Sequence, residues 1–401
     1  MLVHRSGYLP SEIVSVGMVT NNMSVFGGNP SVVSMKAMSE RSKSEAAGPS
    51  GPYDMIFLGG ESGGCDYACG RNMMQTQELR ARAEQEKTGY DCGYYMPKRM
   101  LVPVGWPGPG STPSHPISAL NSVGGINPSK LACWKAMMEA DYKSCRDGRL
   151  TEALPAGKAT TAPDSAVVVN ALFESTITKF AETGEVAEVR AAMRNRYLAF
   201  QMSAHLLLSP THTASIAAAL ARIANDHDLG IVFFCAGTAP GHDSNAAYEK
   251  VRRQMPREIQ THILQQQSVW ANVAVVSRAT AVLATSLHVR IMAFIHGRPR
   301  VTIQNQKTQK KRETGANPGL TSCSFAGKHG HFIRLWEGAS DLGVNDSMGE
   351  LSPKCTGNLA KDVSAAIAMH DSVVAQLQRR VKLCQIRYIE SFSMLASKLN
   401  K

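Results

Sequence analysis

Thr285, Ser286, Leu287, His288 and Arg290 stand where a short apolar run, residues 281–285, gives way to a helical pattern over residues 288–296. A helix start presents unpaired N–H groups and partial positive charge. Ser286 and Thr285 can cap or donate there, and His288 and Arg290 add side-chain donors. Together they suit a carboxylate or a phosphate. The structural alternative is a hydrogen-bonded histidine in the first turn of a core helix. Other residues of the right types are Glu61 after Gly59-Gly60, Arg146-Asp147, His242-Asp243-Ser244, and the basic cluster 307–312 that begins with Lys307. Each also has a plain structural reading: a turn, a surface ion pair, a helix cap, a solvated basic loop.

The elements that must position these residues alternate. Residues 55–58 form an apolar run ending at Gly59-Gly60, as a buried parallel strand enters its loop. Residues 101–105 and 165–170 (SAVVVN) read as further strands. From residue 196 the pattern sharpens: strand 197–202, Ala-rich helix 213–225, strand 231–234, loop 237–244, helix 245–254. Strand 281–285, helix 288–296 closed by Gly297 and Pro299, and strand 301–303 follow. Residues 358–399 repeat apolar side chains at three- and four-residue steps, which predicts a long helix, with a break possible near Asp371. Residues 39–52 read as a linker or insertion, and residues 304–352 as an irregular basic segment.

This alternation predicts an α/β chain in two parts: an N-terminal domain over 1–195 and a C-terminal domain over 196–401. At 401 residues two domains are the natural expectation. Ligands in such sheets sit at the carboxyl ends of strands, which directs attention to the strand-to-helix loops.

Composition narrows the partners. Lys and Arg exceed Asp and Glu by 43 − 32 = 11, which favours an anionic partner or substrate. No zinc-finger spacing and no aromatic-glycine RNA-binding signature accompanies that charge, so nucleic acid is not the expected partner. The nine cysteines include no C-x-x-C pair, so free thiols are expected and no metal site. No run reaches the roughly 18 apolar residues of a membrane helix. Residues 1–22 lack the pattern of a secretory signal, so the default expectation is cytoplasmic, with the secretory pathway open if an anchor precedes them.

Residues 277–303 (SRATAVLATSLHVRIMAFIHGRPRVTI) resemble the polysaccharide pyruvyl transferase family, in its Ser-Leu-His element between strand and helix and the Gly-x-Pro turn that follows. Upstream fragments follow in the family's order. Residues 53–61 resemble its strand ending in Gly-Gly-Glu, Ser144-Cys145-Arg146-Asp147 its Val-Arg-Asp element, and Pro163-Asp164 its Pro-Asp strand start. Residues 197–202 resemble the opening strand of its second domain, and His242-Asp243-Ser244 its His-Asp loop. The resemblance covers about residues 53–303. The glycine-rich opening of the first domain is only faintly echoed at residues 22–30, and residues 314–330 resemble nothing in the family.

The resemblance implies a glycosyltransferase-B-like architecture: two doubly wound Rossmann-like domains facing a cleft, 1–195 on the acceptor side and 196–401 on the phosphoenolpyruvate side, with a long C-terminal helix. The implied enzyme transfers pyruvate from phosphoenolpyruvate onto two hydroxyls of a carbohydrate or glycan as a cyclic ketal, releasing phosphate. It needs no cofactor beyond that donor substrate. His288, Glu61 and Asp243 are the implied catalytic residues, with acid and base not ranked among them. Arg146, Ser286, Leu287, His288, Arg290 and Lys307 are the implied donor ligands, with Lys310 a rival to Lys307. The alternatives are a nucleotide-sugar-dependent glycosyltransferase of related fold, and an inactive relative that binds carbohydrate or nucleic acid.

Overall fold

The computed structural model describes residues 15–17, 22, 24, 31–34, 36–37, 55–58, 71, 74, 76–85, 117–124, 140–146, 152, 157–207, 209–237, 242–266, 268–305, 320–321, 327–337 and 358–399. The expected linker 39–52 and strand 101–105 lie outside them, as do Glu61, Asp147, Lys307 and Lys310.

The chain divides into two units, residues 1–165 with 385–401, and residues 166–384. The division thus falls after Ser165, not after residue 195. The cause is α2 (Val169–Glu182) and α3 (Gly184–Ala192), which belong to the second unit. Phe173 of α2 meets Trp270 with ring centroids 5.0 Å apart, and Asn170 Nδ2 donates to the carbonyl of Ile295 at 2.9 Å.

In the first unit, β1 (Ser15–Gly17) pairs in parallel with β2 (Val32–Ser34). A separate parallel sheet runs in the order β3 (Met55–Leu58), β4 (Ile117–Val123), β5 (Tyr142–Cys145), β6 (Thr160–Thr161). Helix α1 (Gln77–Gln85) stands between β3 and β4 in sequence. The register of β4 against β5 slips between Leu120 and Val123, where Ser122 takes a positive φ of 52°. Such a bulge re-aims the end of a strand.

The run at residues 165–170, expected as a strand, is helical: a 3₁₀ turn at Ser165–Val168 leads straight into α2. Its apolar residues are consecutive and not alternating, a pattern that short helices and buried strands share.

The second unit carries a five-stranded sheet, all parallel. Its strands and helices in chain order are β7 (Tyr197–Gln201), α4 (Pro210–His227), β8 (Gly230–Phe233), α5 (Asn245–Arg252), β9 (Thr261–Ile263), α6 (Val269–Arg278), β10 (Ala281–Ala284), α7 (Leu287–Ile295) and β11 (Arg300–Thr302). Spatially they run β11-β10-β7-β8-β9. The order reverses between β7 and β10, which makes that pair the topological switch point of a doubly wound sheet.

Leu198 and Phe200 face a core with Ile216, Leu220 and Val363. Tyr197, on the opposite face, donates its hydroxyl to Val275 O of α6 at 2.7 Å. Helices therefore cover both faces, and the buried strands read as continuous apolar runs. A short antiparallel pair, β12 (Gln304–Asn305) with β13 (Leu320–Thr321), leads to α8 (Gly327–Phe332) and a π turn, Ile333–Glu337.

Helix α9 (Leu359–Leu399) is continuous through Asp371, with no break there. Leu359, Ala360, Val363 and Ala366 belong to the core of the second unit. Its last stretch belongs to the first unit: Tyr388 accepts from Asn121 Nδ2 at 2.9 Å, and Tyr142 donates its hydroxyl to Ser391 O at 2.8 Å. Among the described residues no helix is long and apolar enough to cross a membrane.

Candidate functional site

Strands β7, β8 and β10 deliver their carboxyl ends to one edge of the sheet. Gln201 closes β7, and its side chain organises that edge. Its Oε1 accepts from the backbone N–H of Thr285 at 3.0 Å and of Ser286 at 2.9 Å. Its Nε2 donates to Asp243 Oδ1 at 2.7 Å. The amide has one sensible orientation, since a flip would set its oxygen against a carboxylate. The other Asp243 oxygen accepts from Ala236 N at 2.7 Å and Gly237 N at 3.2 Å. One glutamine thus ties the loop after β8 to the strand-to-helix turn after β10. Ser203 joins the same edge, its N–H donating to Thr285 Oγ1 at 3.1 Å.

Asp243 is buried, and burial pushes its carboxyl above the ordinary carboxylate value against the pull of its three donors. Its place in the edge is that of a loop organiser whose raised proton affinity also suits a base. The sequence offered His242-Asp243-Ser244 as a helix cap, but Ser244 makes no side-chain capping bond to α5.

Ser286, Leu287 and His288, expected as a ligand seat, lie at the start of α7 beside the switch point. Ser286 is the N-cap of α7 and its hydroxyl makes no capping bond. The helical ladder begins with Arg290 N donating to Ser286 O at 3.1 Å, so the amides of the first turn precede it. His288 is exposed on that first turn. The Leu287 side chain is buried in the core, which leaves its backbone amide to serve the edge.

Arg290 is placed differently from its expected role as a donor ligand. Its guanidinium is buried and makes a bidentate pair with Glu337, at 2.8 and 2.6 Å, while Nη1 donates to Thr302 Oγ1 at 2.8 Å. Arg300 reaches the same carboxylate at 3.2 and 3.0 Å. Burial alone would raise the Glu337 carboxyl, but the two arginines hold it at about 2. The trio keeps a surplus positive charge under α7. The sequence could not show this, because Glu337 lies in a segment read as irregular.

That segment also brings in His329. Its Nε2 lies 3.1 Å from the carbonyl of Thr285 and must donate to it, which makes Nδ1 the unprotonated nitrogen of the neutral ring. Nδ1 is buried without a partner. Burial, then the charges of Arg290 and Lys328, hold the ring's pKa at about 4. Gln201 and His329 are the residues of this edge that sequence reasoning missed. The one available signal was a polar residue ending the apolar strand YLAFQ.

In the first unit, Arg146 follows β5 and is buried in an ion pair with Asp164, the residue of the Pro-Asp element. Gly124 makes room for it: a Cβ there would lie 2.5 Å from Arg146 Nε. Among the described residues no group of three or more His, Cys, Asp or Glu is placed to hold a metal ion.

No protein-family model and no curated protein matches the chain. Solved structures similar to it include a UDP-N-acetylglucosamine 2-epimerase from Rickettsia bellii, with a TM-score of 0.46 and 11% identity, covering 91% of this chain and 78% of that one. A UDP-GlcNAc 2-epimerase from Methanocaldococcus jannaschii gives a TM-score of 0.43 at 12% identity, over 87% and 88% of the two chains. The Neisseria meningitidis UDP-GlcNAc 2-epimerase bound to UDP-GlcNAc gives 0.39 at 10% identity, over 70% of each.

Proposed function

We propose that this protein transfers pyruvate from phosphoenolpyruvate to two hydroxyls of a carbohydrate. The observation that carries the reading is the seat at the start of α7. An uncommitted Ser286 hydroxyl, an exposed His288 and the first-turn amides lie together at the switch point of a doubly wound sheet. The Ser-Leu-His resemblance gives that oxyanion seat its substrate.

The reaction needs an addition and a displacement. One sugar hydroxyl oxygen bonds to C2 of the donor and gives its proton to a base, while the methylene carbon takes up a proton from an acid to become a methyl group. The second hydroxyl oxygen then bonds to C2 as the C2–O bond to phosphate breaks. The second hydroxyl proton goes to a base or to the departing phosphate. In this reading Ser286, His288 and the first-turn amides hold the phosphate, and His288 is placed to protonate it or the methylene carbon. Arg290 acts from beneath, fixing α7 through Glu337 and lending positive potential. Arg146 is the cation of the first unit, and Glu61, Asp243 and Lys307 keep the roles the resemblance gives them.

One observation favours a second reading. The strand order of the second unit is that of a dinucleotide-binding sheet, which suits a nucleotide-sugar donor at the same edge. Incubation with carbon-13-labelled phosphoenolpyruvate and a panel of glycans separates the two. Pyruvyl transfer requires phosphate release together with a labelled ketal methyl signal in the glycan, both lost in His288→Ala. Transfer from a nucleotide sugar, with no ketal from any glycan, would replace the first reading with the second.

A further inference from the structure

We propose that His329 is a positioning residue of the seat at the start of α7: it holds the Thr285–Ser286 peptide in the orientation that the Ser286 hydroxyl and the first-turn amides need to meet an oxyanion. This rests on the reading of that seat as an oxyanion site, and not on the pyruvyl group of its ligand.

A peptide unit is planar, so fixing its carbonyl and its N–H fixes the whole plane. The Thr285–Ser286 peptide is held in that way by two side chains. His329 Nε2 donates to its carbonyl, Thr285 O, at 3.1 Å. Its N–H, on Ser286, donates to Gln201 Oε1 at 2.9 Å. The two side chains come from distant parts of the chain, β7 and α8. The plane sets ψ of Thr285 and φ of Ser286, and Ser286 is the N-cap from which α7 departs. With one hold released the plane can turn about the other, and the direction of the amides that follow is no longer fixed.

The segment that bears His329 is fastened to α7 at other points as well. Phe332 meets Phe294 edge to face, with ring centroids 5.7 Å apart, and Glu337 pairs with Arg290 at 2.6 Å. The Trp336 carbonyl accepts from Cys384 Sγ of α9 at 3.5 Å. Attachment of the segment therefore needs no histidine. The cost of placing one points to a role besides packing. The ring is buried, which keeps it neutral with one N–H, and that N–H goes to Thr285 O. Nδ1 is left buried and without a hydrogen-bond partner. Orphaned buried atoms are few in native proteins and each calls for an explanation. Here the explanation is the hold on the peptide that precedes the N-cap.

The test is isothermal titration of inorganic phosphate, and separately of phosphoenolpyruvate, into the full chain at a temperature where every variant is folded. His288→Ala should abolish the phosphate heat, which places the bound ion at the seat. His329→Leu should weaken phosphate about tenfold, the low end of what losing an orienting partner costs at metal sites. Phosphoenolpyruvate should weaken alongside it. His329→Gln keeps a side-chain N–H at similar reach and should restore most of the affinity. Phe332→Leu loosens the same segment and leaves the hydrogen bond, so it should lower the melting temperature and bind as the wild type does. His329→Asn, whose shorter amide falls short of Thr285 O, serves if His329→Leu does not fold. Equal phosphate affinity in wild type and His329→Leu would overturn the proposal, as would a loss that His329→Gln does not relieve or that Phe332→Leu reproduces. Phosphate binding untouched by His288→Ala, or absent from the wild type, defeats the seat and this proposal with it. Phosphate binding that follows His329 in a protein that forms no ketal on any glycan supports the proposal and defeats the pyruvyl reading alone.

Discussion

Gln201 and Asp243 are joined side chain to side chain by a 2.7 Å hydrogen bond, and through it the loop after β8 is fastened to the start of α7. Replacing Gln201 by Leu would take the side-chain acceptor from the Ser286 N–H and one of three donors from the buried Asp243 carboxylate, while the Thr285 N–H keeps the main-chain carbonyl of residue 201. An unsatisfied buried group costs roughly 1–3 kcal/mol, so Gln201→Leu should lose about 1–3 kcal/mol in urea unfolding. A loss below about 0.5 kcal/mol, the range of an ordinary surface change, would show that the edge does not depend on this residue.

Gly124→Ala tests the buried pair of the first unit. The added Cβ would meet Arg146 Nε at 2.5 Å and Nη2 at 2.9 Å, forcing the guanidinium off Asp164. Overpacking of this kind typically costs about 1–3 kcal/mol. Unfolding of the first unit at lower denaturant is expected, and an unchanged midpoint would refute the packing.

Acid should weaken the second unit through at least three groups: Glu337, His329, and His296, whose buried ring is likewise held at about 4. Glu337 is held at about 2 against an ordinary 4.5, so its contribution is full above 4.5 and is lost as the pH falls toward 2. His329 is held at about 4 against 6.5, so its contribution is full above 6.5 and is lost as the pH falls toward 4. Melting temperature should therefore decline below pH 6.5 and more steeply below 4.5. Glu337→Gln should flatten the lower limb and lose about 3–5 kcal/mol at neutral pH, because two buried arginines lose the carboxylate they share. A wild-type profile that stays level from pH 7 to pH 3, read by thermal melts, would contradict these assignments.

Much of the second unit was legible in the sequence. Strands 197–202, 231–234 and 281–285, and the helices after them, match β7, β8 and β10 with α4, α5 and α7 to within a few residues. Their apolar runs are punctuated by glycine, proline and polar loops, which is the signal that short buried strands give best. Helix α6 (VWANVAVVSR) was not legible, because apolar residues on several of its faces hide the helical period. The seat at Ser286 and His288 was legible as a strand-to-helix turn. Arg290 was not, since its partner Glu337 is remote in sequence and only the fold joins them. Gln201 was invisible for a similar reason: a strand glutamine gains meaning only when the switch point sets Thr285 beside it.

Ser286→Ala distinguishes a cap from a ligand. An N-cap serine that bonds its helix loses about 1 kcal/mol when truncated. The Ser286 hydroxyl makes no such bond, so its loss should leave the melting temperature nearly unchanged while weakening donor binding. A full capping loss, with binding intact, would return Ser286 to a structural role.

The central claim, that the start of α7 is the seat of phosphoenolpyruvate, is tested most directly by thermal unfolding with and without millimolar phosphoenolpyruvate, in wild type and His288→Ala. His288 is exposed, so the variant should melt with the wild type in the absence of ligand. At ~100 times its dissociation constant the donor should stabilise the wild type by about 2.7 kcal/mol, which raises the midpoint by a few degrees. That rise should disappear in His288→Ala. A midpoint unmoved by phosphoenolpyruvate but raised by a nucleotide sugar, or a rise that His288→Ala leaves intact, would contradict the claim.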